Sequence, residues 1–559
     1  MKQANQSSST EVLASKKLLS QGWDFLRHKN INDAIKISQH LNKYHPNNGD
    51  GWHFTAQVAL TIGNLNAAKQ SFKNACKLVP TRIAWKISLA DTYYNAREIE
   101  QVKSILLDVD ELTLTASQHN QVALLFSQIN LYEQSIKHYQ EAISLEPNNH
   151  THHYSLATVY RYAGDLAKAE TSLTKAIECN VNDIDAHALR VDVQKQTPDH
   201  NHIESLTALL EQSGSAKQLP ATQLMAKDKV QIYFALAKSY EDLDDSAKSF
   251  EYLQQGAKLR RQHIEYNIEQ DQNIMEDISH NFDQHWWSNT PTLKQSYISG
   301  TMITPIFVIG MPRTGSTLID RMLSSGTEVL NAGELSDFSR LLTEQVQQVF
   351  GAEIKNKQQF IKAASQIDFE KLGNDYLASV EAQFAHLGLG KSVHYFSDKL
   401  PFNFLYTGLI QKALPHAKII HITREPIDTC YAVFKTLFQQ AYPFSYDQKE
   451  LAEYFIAYKK LMAHWQQLAD RAKLNIHTVS YEQIVAEPKK VAELLYQFCG
   501  LTWQAVYADM QNNNAAVTTA SASQVRQPIH KDSVQKWRKY EQQLTPLKQQ
   551  LEQAGISCD

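Results

Sequence analysis

The segment Ile306-Phe307-Val308-Ile309-Gly310-Met311-Pro312-Arg313-Thr314-Gly315-Ser316-Thr317-Leu318 constrains this chain more than any other stretch. Four apolar residues run into a glycine-bounded loop, and the loop runs into the start of a helix. Strand, loop and helix in that order aim backbone N–H groups and a helix N-terminus at an anion, usually a phosphate. Gly310 and Gly315 have Gly-x-x-x-x-Gly spacing, but the Lys that a nucleotide triphosphatase places next is Ser316 here. No Lys is available to reach a γ-phosphate. Arg313, Ser316 and Thr317 remain, a charged fork with hydroxyl donors, which suits a terminal phosphate monoester without an obligatory metal.

Composition narrows the class. With 559 residues, 43% hydrophobic and 20% charged, the chain has material for two or more cores, which excludes wholesale disorder. A formal charge of −4 gives no reason to expect nucleic acid or an anionic membrane as partner. No apolar run approaches the roughly 20 residues of a membrane helix. The start, MKQANQSSSTEVLASKK, lacks a signal-peptide core, so a cytoplasmic location is expected. The cysteines, Cys76, Cys179, Cys430, Cys499 and Cys558, are scattered and form no C-x-x-C pair. Neither a disulfide framework nor a structural zinc site is expected from them, and no metal site is assigned.

The two halves follow different rules. In the first, Pro46 and Pro80 lie one 34-residue period apart. Trp52, Ala56, Ala59, Ala68, Phe72 and Ala75 recur at matching offsets as Ala123, Phe126, Tyr139 and Ala142, and again as Ala157, Tyr160, Ala169 and Ala176. The pattern resembles the tetratricopeptide repeat, a helix–turn–helix unit in which small residues let helices approach and aromatics fill the groove. A single unit cannot bury its apolar face, so five to seven units are expected to stack as an all-α solenoid over residues 10–265. The segment Ile83–Asp110 fits poorly and residues 184–225 are weaker still, with a loop at Gln212–Ala221. The repeat histidines, such as His152 and His153, read as surface groups. A helical linker is expected over 266–300, with Trp286-Trp287 packing the join.

From about Met302, strand-like runs at Ile303–Ile309, Lys418–Thr423 and Asn475–Ser480 alternate with helical stretches. That alternation implies a parallel sheet with helices on both faces and a ligand site at the strands' carboxyl ends. This α/β domain is expected over 301–545, followed by a C-terminal tail at 546–559.

The second half resembles the sulfotransferase family. Its pairing with a repeat array resembles bacterial tetratricopeptide-repeat sulfotransferases, and its blocks are similar to the protein-tyrosine sulfotransferases. Those blocks are Pro312–Leu318, Gly333-Glu334, Asp398-Lys399-Leu400-Pro401 and Thr423–Thr429. The resemblance implies sulfuryl transfer from 3′-phosphoadenosine 5′-phosphosulfate (PAPS), a co-substrate and not a resident cofactor, to a hydroxyl acceptor. It implies donor contacts from Arg313, Thr314, Gly315, Ser316 and Thr317, a 3′-phosphate ligand in Arg424, and a further cofactor-side element at Tyr481-Glu482. It implies Glu334 as catalytic base and Lys399 as catalytic cation. Ser521, with Ser523 as competitor, would act at the transferred group from a lid-like segment, and Ser533–Trp537 matches the family's tail. The chain departs from the pattern in two places. The family Ser eight residues after the 3′-phosphate Arg is Ala432 here, with Thr429 as the candidate substitute. The arginines that read acidic acceptors just beyond the base are replaced by Ser336, with Arg340 farther on.

The residues alone leave alternatives. Glu334 also suits the first turn of a helix. Protein tyrosine, glycan and small-molecule hydroxyls all remain as acceptors, with the repeats recruiting an acceptor peptide, protein or glycan, and a homo-oligomer stays open. The rival function is a catalytically inactive nucleotide-binding repeat scaffold. A phosphotransferase using the same loop is a weaker third reading.

Overall fold

A computed structural model describes residues 2–212, 224–291, 303–438, 441–508 and 533–558. The chain divides into two compact units, Met1–His152 and His153–Asp559, so the division falls inside the repeat array and not at its end.

The first unit is helical. Repeat helices that begin at Gly49, Ile83, Ala116 and His150 and, across the division, at Ile184 recur every 33–34 residues. Each fits the sequence rule: Ala56, Ala68, Phe72 and Ala75 are fully buried, small residues setting the approach and an aromatic filling the gap. The poorly matching segment forms an ordinary helix pair, Ile83–Asn95 and Ile99–Asp110. Trp85, Ala90, Tyr93, Val102 and Leu106 supply its buried face, so volume is conserved where the motif is not. His152 is not a surface group. It is 4% exposed and bonded to Asn120 and Glu146, because the turn before its helix folds Glu146 and Asn149 back over the ring. His138 is buried as well, against His119 and Asp110.

The second unit holds a five-stranded, wholly parallel sheet in the order β2-β3-β1-β4-β5. Its strands are β1 Thr304–Gly310, β2 Val329–Asn331, β3 Tyr395–Asp398, β4 Lys418–Thr423 and β5 Ile476–Ser480. The sequence runs give β1, β4 and β5; the three- and four-residue β2 and β3 are too short to show a pattern. Alternation divides the sheet between two cores. Ile306, Val308, Ile420, Ile422 and Val479 pack against the helices Ser316–Leu323 and Pro488–Cys499. Phe307, Ile309, Phe396 and Ile419 face the larger core. Every residue of β1 is buried, and each such Ile or Val contributes about 1.5–3 kcal/mol.

That larger core also takes in Val230, Phe234, Phe250 and Leu253 from the last repeat helices, Ala226–Asp242 and Ser246–Gln262. The linker forms helices Ile268–Asn281 and Gln284–Asn289, and Trp286 donates through Nε1 to Ser365 O at 3.0 Å. The helix Glu541–Gln553 crosses the expected start of a tail. It buries Leu544, Leu547 and Leu551, in contact with the helix Gln448–Ala472.

Candidate active site

Because all five strands are parallel, their carboxyl ends share one edge, and each candidate block follows one of them. The loop after β1 is bent by positive φ at Gly310 (+148°), Arg313 (+65°) and Gly315 (+103°). A Cβ on Gly310 would stand 2.4 Å from Ile422 O, and one on Gly315 would stand 2.7 Å from the Tyr481 ring. The glycines therefore let β4 and Tyr481 close on the loop. Thr314 donates its hydroxyl to Met311 O at 2.7 Å, so that side chain shapes the loop and its backbone is what remains to face outward. Ser316 and Thr317 are buried in the first turn of the following helix, whose N-cap, Gly315, makes no side-chain cap bond.

Two arginines meet at this loop. Arg424, just past β4, donates to Arg313 O (3.1 Å) and to Ser533 O (2.5 Å), with its guanidinium 4.8 Å from the Tyr481 ring centroid. Its Nε is buried and has no partner among the described residues, a donor of the kind a phosphate would satisfy. Burial pushes the Arg313 guanidinium down to about 10. Asp192 pulls it back up while Arg424 and Arg161 add to the fall, and at neutral pH it stays charged. Asp192 and Arg161 come from the repeat helices of this unit and pair with each other at 3.0 Å.

Glu334 and Lys399 form an ion pair between the turn after β2 and the end of β3. Lys399 is 2% exposed and Glu334 is 43% exposed, so the carboxylate faces outward and the ammonium lies beneath it. A hydrogen-bonded chain behind the pair holds it, and no motif announces that chain. Lys399 N donates to Gly333 O (2.8 Å), Gly333 N to Asn331 Oδ1 (2.9 Å), Asn331 Nδ2 to Asp320 Oδ2 (2.7 Å), and Ser397 Oγ to Asp320 Oδ1 (2.5 Å). Burial pushes the Asp320 carboxyl up to about 6 against the pull of Lys399. Asp398 is buried too and accepts from Tyr376 OH at 2.7 Å; burial lifts it to about 7. These groups are legible in the sequence only as polar residues beside strands. Their role depends on strand order.

Some candidates take other parts. Thr429 is fully buried and donates to Glu425 O at 2.9 Å, which leaves its hydroxyl proton inside the helix Pro426–Phe434 and not toward a phosphate. Arg340 pairs with Asp337 (3.0 Å) and Glu344 (2.8 Å) on its own helix. Ser521 and the lid-like segment lie outside the described residues. His421 is buried and bonded to Tyr458 OH at 2.7 Å. The segment after Ser533 is pinned by Asp428, which accepts from Gln535 N (2.5 Å) and Trp537 N (3.2 Å).

Two kinds of family match fall along the chain. Residues 305–505 match the sulfotransferase family, and residues 119–149, 138–171 and 230–263 match tetratricopeptide repeats. An uncharacterized protein of Aquifex aeolicus (strain VF5) is 27% identical over 408 residues, 70% of this chain and 49% of that protein. Protein-tyrosine sulfotransferase 1 of Danio rerio is 24% identical over 241 residues, 42% of this chain and 65% of that protein. The chain thus spans about half the length of the first relative and less than two thirds of the second. A thermophilic repeat protein of Thermus thermophilus aligns with 32% of this chain and 96% of its own, at 20% identity and a TM-score of 0.26. Strand order, loop and sequence match together make residues 305–505 a sulfotransferase-family domain, carried behind tetratricopeptide repeats.

Proposed function

We propose that the protein transfers a sulfuryl group from PAPS to a hydroxyl acceptor at the carboxyl edge of the sheet. The observation that carries this reading is the Glu334–Lys399 pair, set at the same sheet edge as the Arg313 loop. Sulfuryl transfer is in-line attack of an oxygen on sulfur with a phosphate oxygen leaving, so it needs a base, cations at the leaving side and alignment. Before donor binds, Glu334 and Lys399 neutralise each other. An incoming phosphosulfate draws Lys399 to the oxygens that gain charge, and Glu334 is released to take the acceptor proton. Arg313 and the backbone of Thr314, Gly315, Ser316 and Thr317 hold the 5′-phosphate side. Arg424, through its unpartnered Nε, holds the 3′-phosphate, and Tyr481 flanks it.

An aromatic wall favours a phenolic acceptor such as protein tyrosine. The Tyr442 ring lies 4.7 Å from Phe402 and 4.5 Å from Phe438 between centroids. Burial raises the pKa of its hydroxyl, and the Glu334 charge raises it further, so the wall stands within reach of the base's field. A free phenol ionises near pH ~10, so it needs a base at neutral pH. The repeats recruit or orient the acceptor.

The test is transfer of sulfur label from PAPS to tyrosine peptides and, in parallel, to glycans. Labelled peptide is the expected product. Labelled glycan alone would keep the reaction and replace the acceptor. A protein that binds neither PAPS nor 3′,5′-bisphosphoadenosine would end the proposal.

A further inference from the structure

The repeat array carries a cluster that the transferase reading does not use. Glu170, on the helix Leu166–Cys179, meets His200 and His202, which precede the helix Ile203–Gln212. One ligand atom from each lies within 4.8 Å of the others. His200 Nε2 is 2.8 Å from Glu170 Oε1, and the two imidazoles stand edge to face with centroids 5.3 Å apart. His202 Nε2 is buried and makes no hydrogen bond among the described residues.

The backbone that presents the histidines is fixed. Thr197 N donates to His200 O (2.9 Å) and His200 N to Thr197 O (3.1 Å), closing a tight turn. Asn201 Nδ2 braces it through Thr197 O and Pro198 O. Gln196 N donates to Asp242 Oδ2 at 2.9 Å, which anchors the approach to a third helix. Two residues apart on a braced turn, the rings share one side, and Glu170 comes from a rigid neighbour. The Gln194 amide faces the same carboxylate, as an outer partner orients a ligating acid.

We infer that Glu170, His200 and His202 form a binding site for a borderline-soft divalent ion, Zn2+, that staples the helix Leu166–Cys179 to the turn before Ile203. Two imidazoles and one carboxylate are a zinc-type donor set, with a fourth position open to water on the exposed His200 side. Bonds of about 2.0–2.2 Å place tetrahedral donors about 3.3 Å apart, which side-chain shifts of under about 1 Å achieve here. On binding, His200 exchanges its Nε2 proton for the ion and carries its proton on Nδ1, the other neutral tautomer. Two imidazoles in the donor set disfavour a hard ion such as Mg2+, which prefers oxygen ligands. The staple falls where the repeat pattern lapses, between two helices of only ten residues. There a metal supplies cohesion that short helices cannot.

The test uses the full chain stripped of metal, titrated with Zn2+ by calorimetry and followed by thermal melting. One ion per chain at micromolar or tighter affinity, with a raised Tm and no response to Mg2+, is expected. His200→Gln and His202→Gln should each weaken binding by at least about tenfold, and the double variant should lose the Tm rise. Absence of stoichiometric binding, or a double variant that binds as tightly as the parent, would overturn the site. If the histidine variants fail to fold, Glu170→Gln must reproduce the weakening, and unchanged affinity there would also overturn it. The readout is independent of transferase activity.

Discussion

At the scale of single residues, the candidate site is built on a carboxylate and an ammonium that hold each other in place. Lys399 is nearly inaccessible and Glu334 is not, so removing either affects the other. Lys399→Ala should lower turnover by about 10²–10³, and Glu334→Gln by about 10²–10⁴ with donor affinity retained. Single-turnover transfer beside PAPS binding separates the two effects. Gly310→Ala should fail for a different reason, because the new Cβ meets the backbone of Ile422 and cannot push it aside. Loss of about 2 kcal/mol or more by urea titration is expected, from a strained φ and a displaced strand. Arg313, Lys399 and Arg424 stand out in the sequence as candidates because chemistry-bearing residues sit beside Gly and Pro in short blocks. Asp320, Asn331 and Ser397 were not, since a polar residue next to a strand has no signature until the strand's neighbour is known.

At the scale of elements, buried charge ties the repeat helix Ala226–Asp242 to the domain. Glu241 accepts from Lys435 Nζ (2.8 Å) and Tyr431 OH (2.7 Å) and pairs with Lys536 Nζ at 3.0 Å. Burial pushes its carboxyl up, but the two lysines pull harder and hold it well below the carboxylate range. Burial pushes Lys435 down to about 8. Glu241→Ala would leave two cations facing each other in a poorly solvated site, a loss of about 3–5 kcal/mol measurable by chemical denaturation. Glu241→Gln should recover part of it. The same segment carries Ser533, which accepts from Arg424, so the damage should extend to donor binding.

Proton linkage also belongs to the elements, because β3 buries Asp398. Its folded pKa, about 7, lies above the unfolded value near 3.8, so the folded state holds the extra proton. That contribution is fully present below pH ~4 and is lost as pH rises toward ~7, at no more than about 1.4 kcal/mol per pH unit. Asp398→Asn should flatten the fall of Tm between about pH 5 and 7, leaving the smaller part that Asp320 contributes.

At the scale of the whole molecule, the unit His153–Asp559 joins repeat helices and sheet in one core. Residues 226–262 should therefore melt with the sulfotransferase-family domain and not with the first unit. In calorimetry, the transition raised by 3′,5′-bisphosphoadenosine and the transition lowered by Glu241→Ala should be the same one. If Glu241→Ala instead lowers a transition that the nucleotide does not move, the shared core is not cooperative.

What the sequence determined by itself was local in origin: the 34-residue rhythm of small and aromatic residues, three long strands, and a glycine loop with Ser316 where a nucleotide triphosphatase places Lys. Each rests on contacts within a few residues, so each leaves a pattern that can be read in one dimension. Tertiary structure decided the rest. It placed β3 between β2 and β1, which brought Lys399 onto Glu334 across 65 positions and set Asp320 behind them. It buried His152, drew the unit boundary inside the repeats, and gathered Glu170, His200 and His202 around one point. Counting cysteines for a metal site could not have found that cluster, because its ligands come from two elements that only packing brings together.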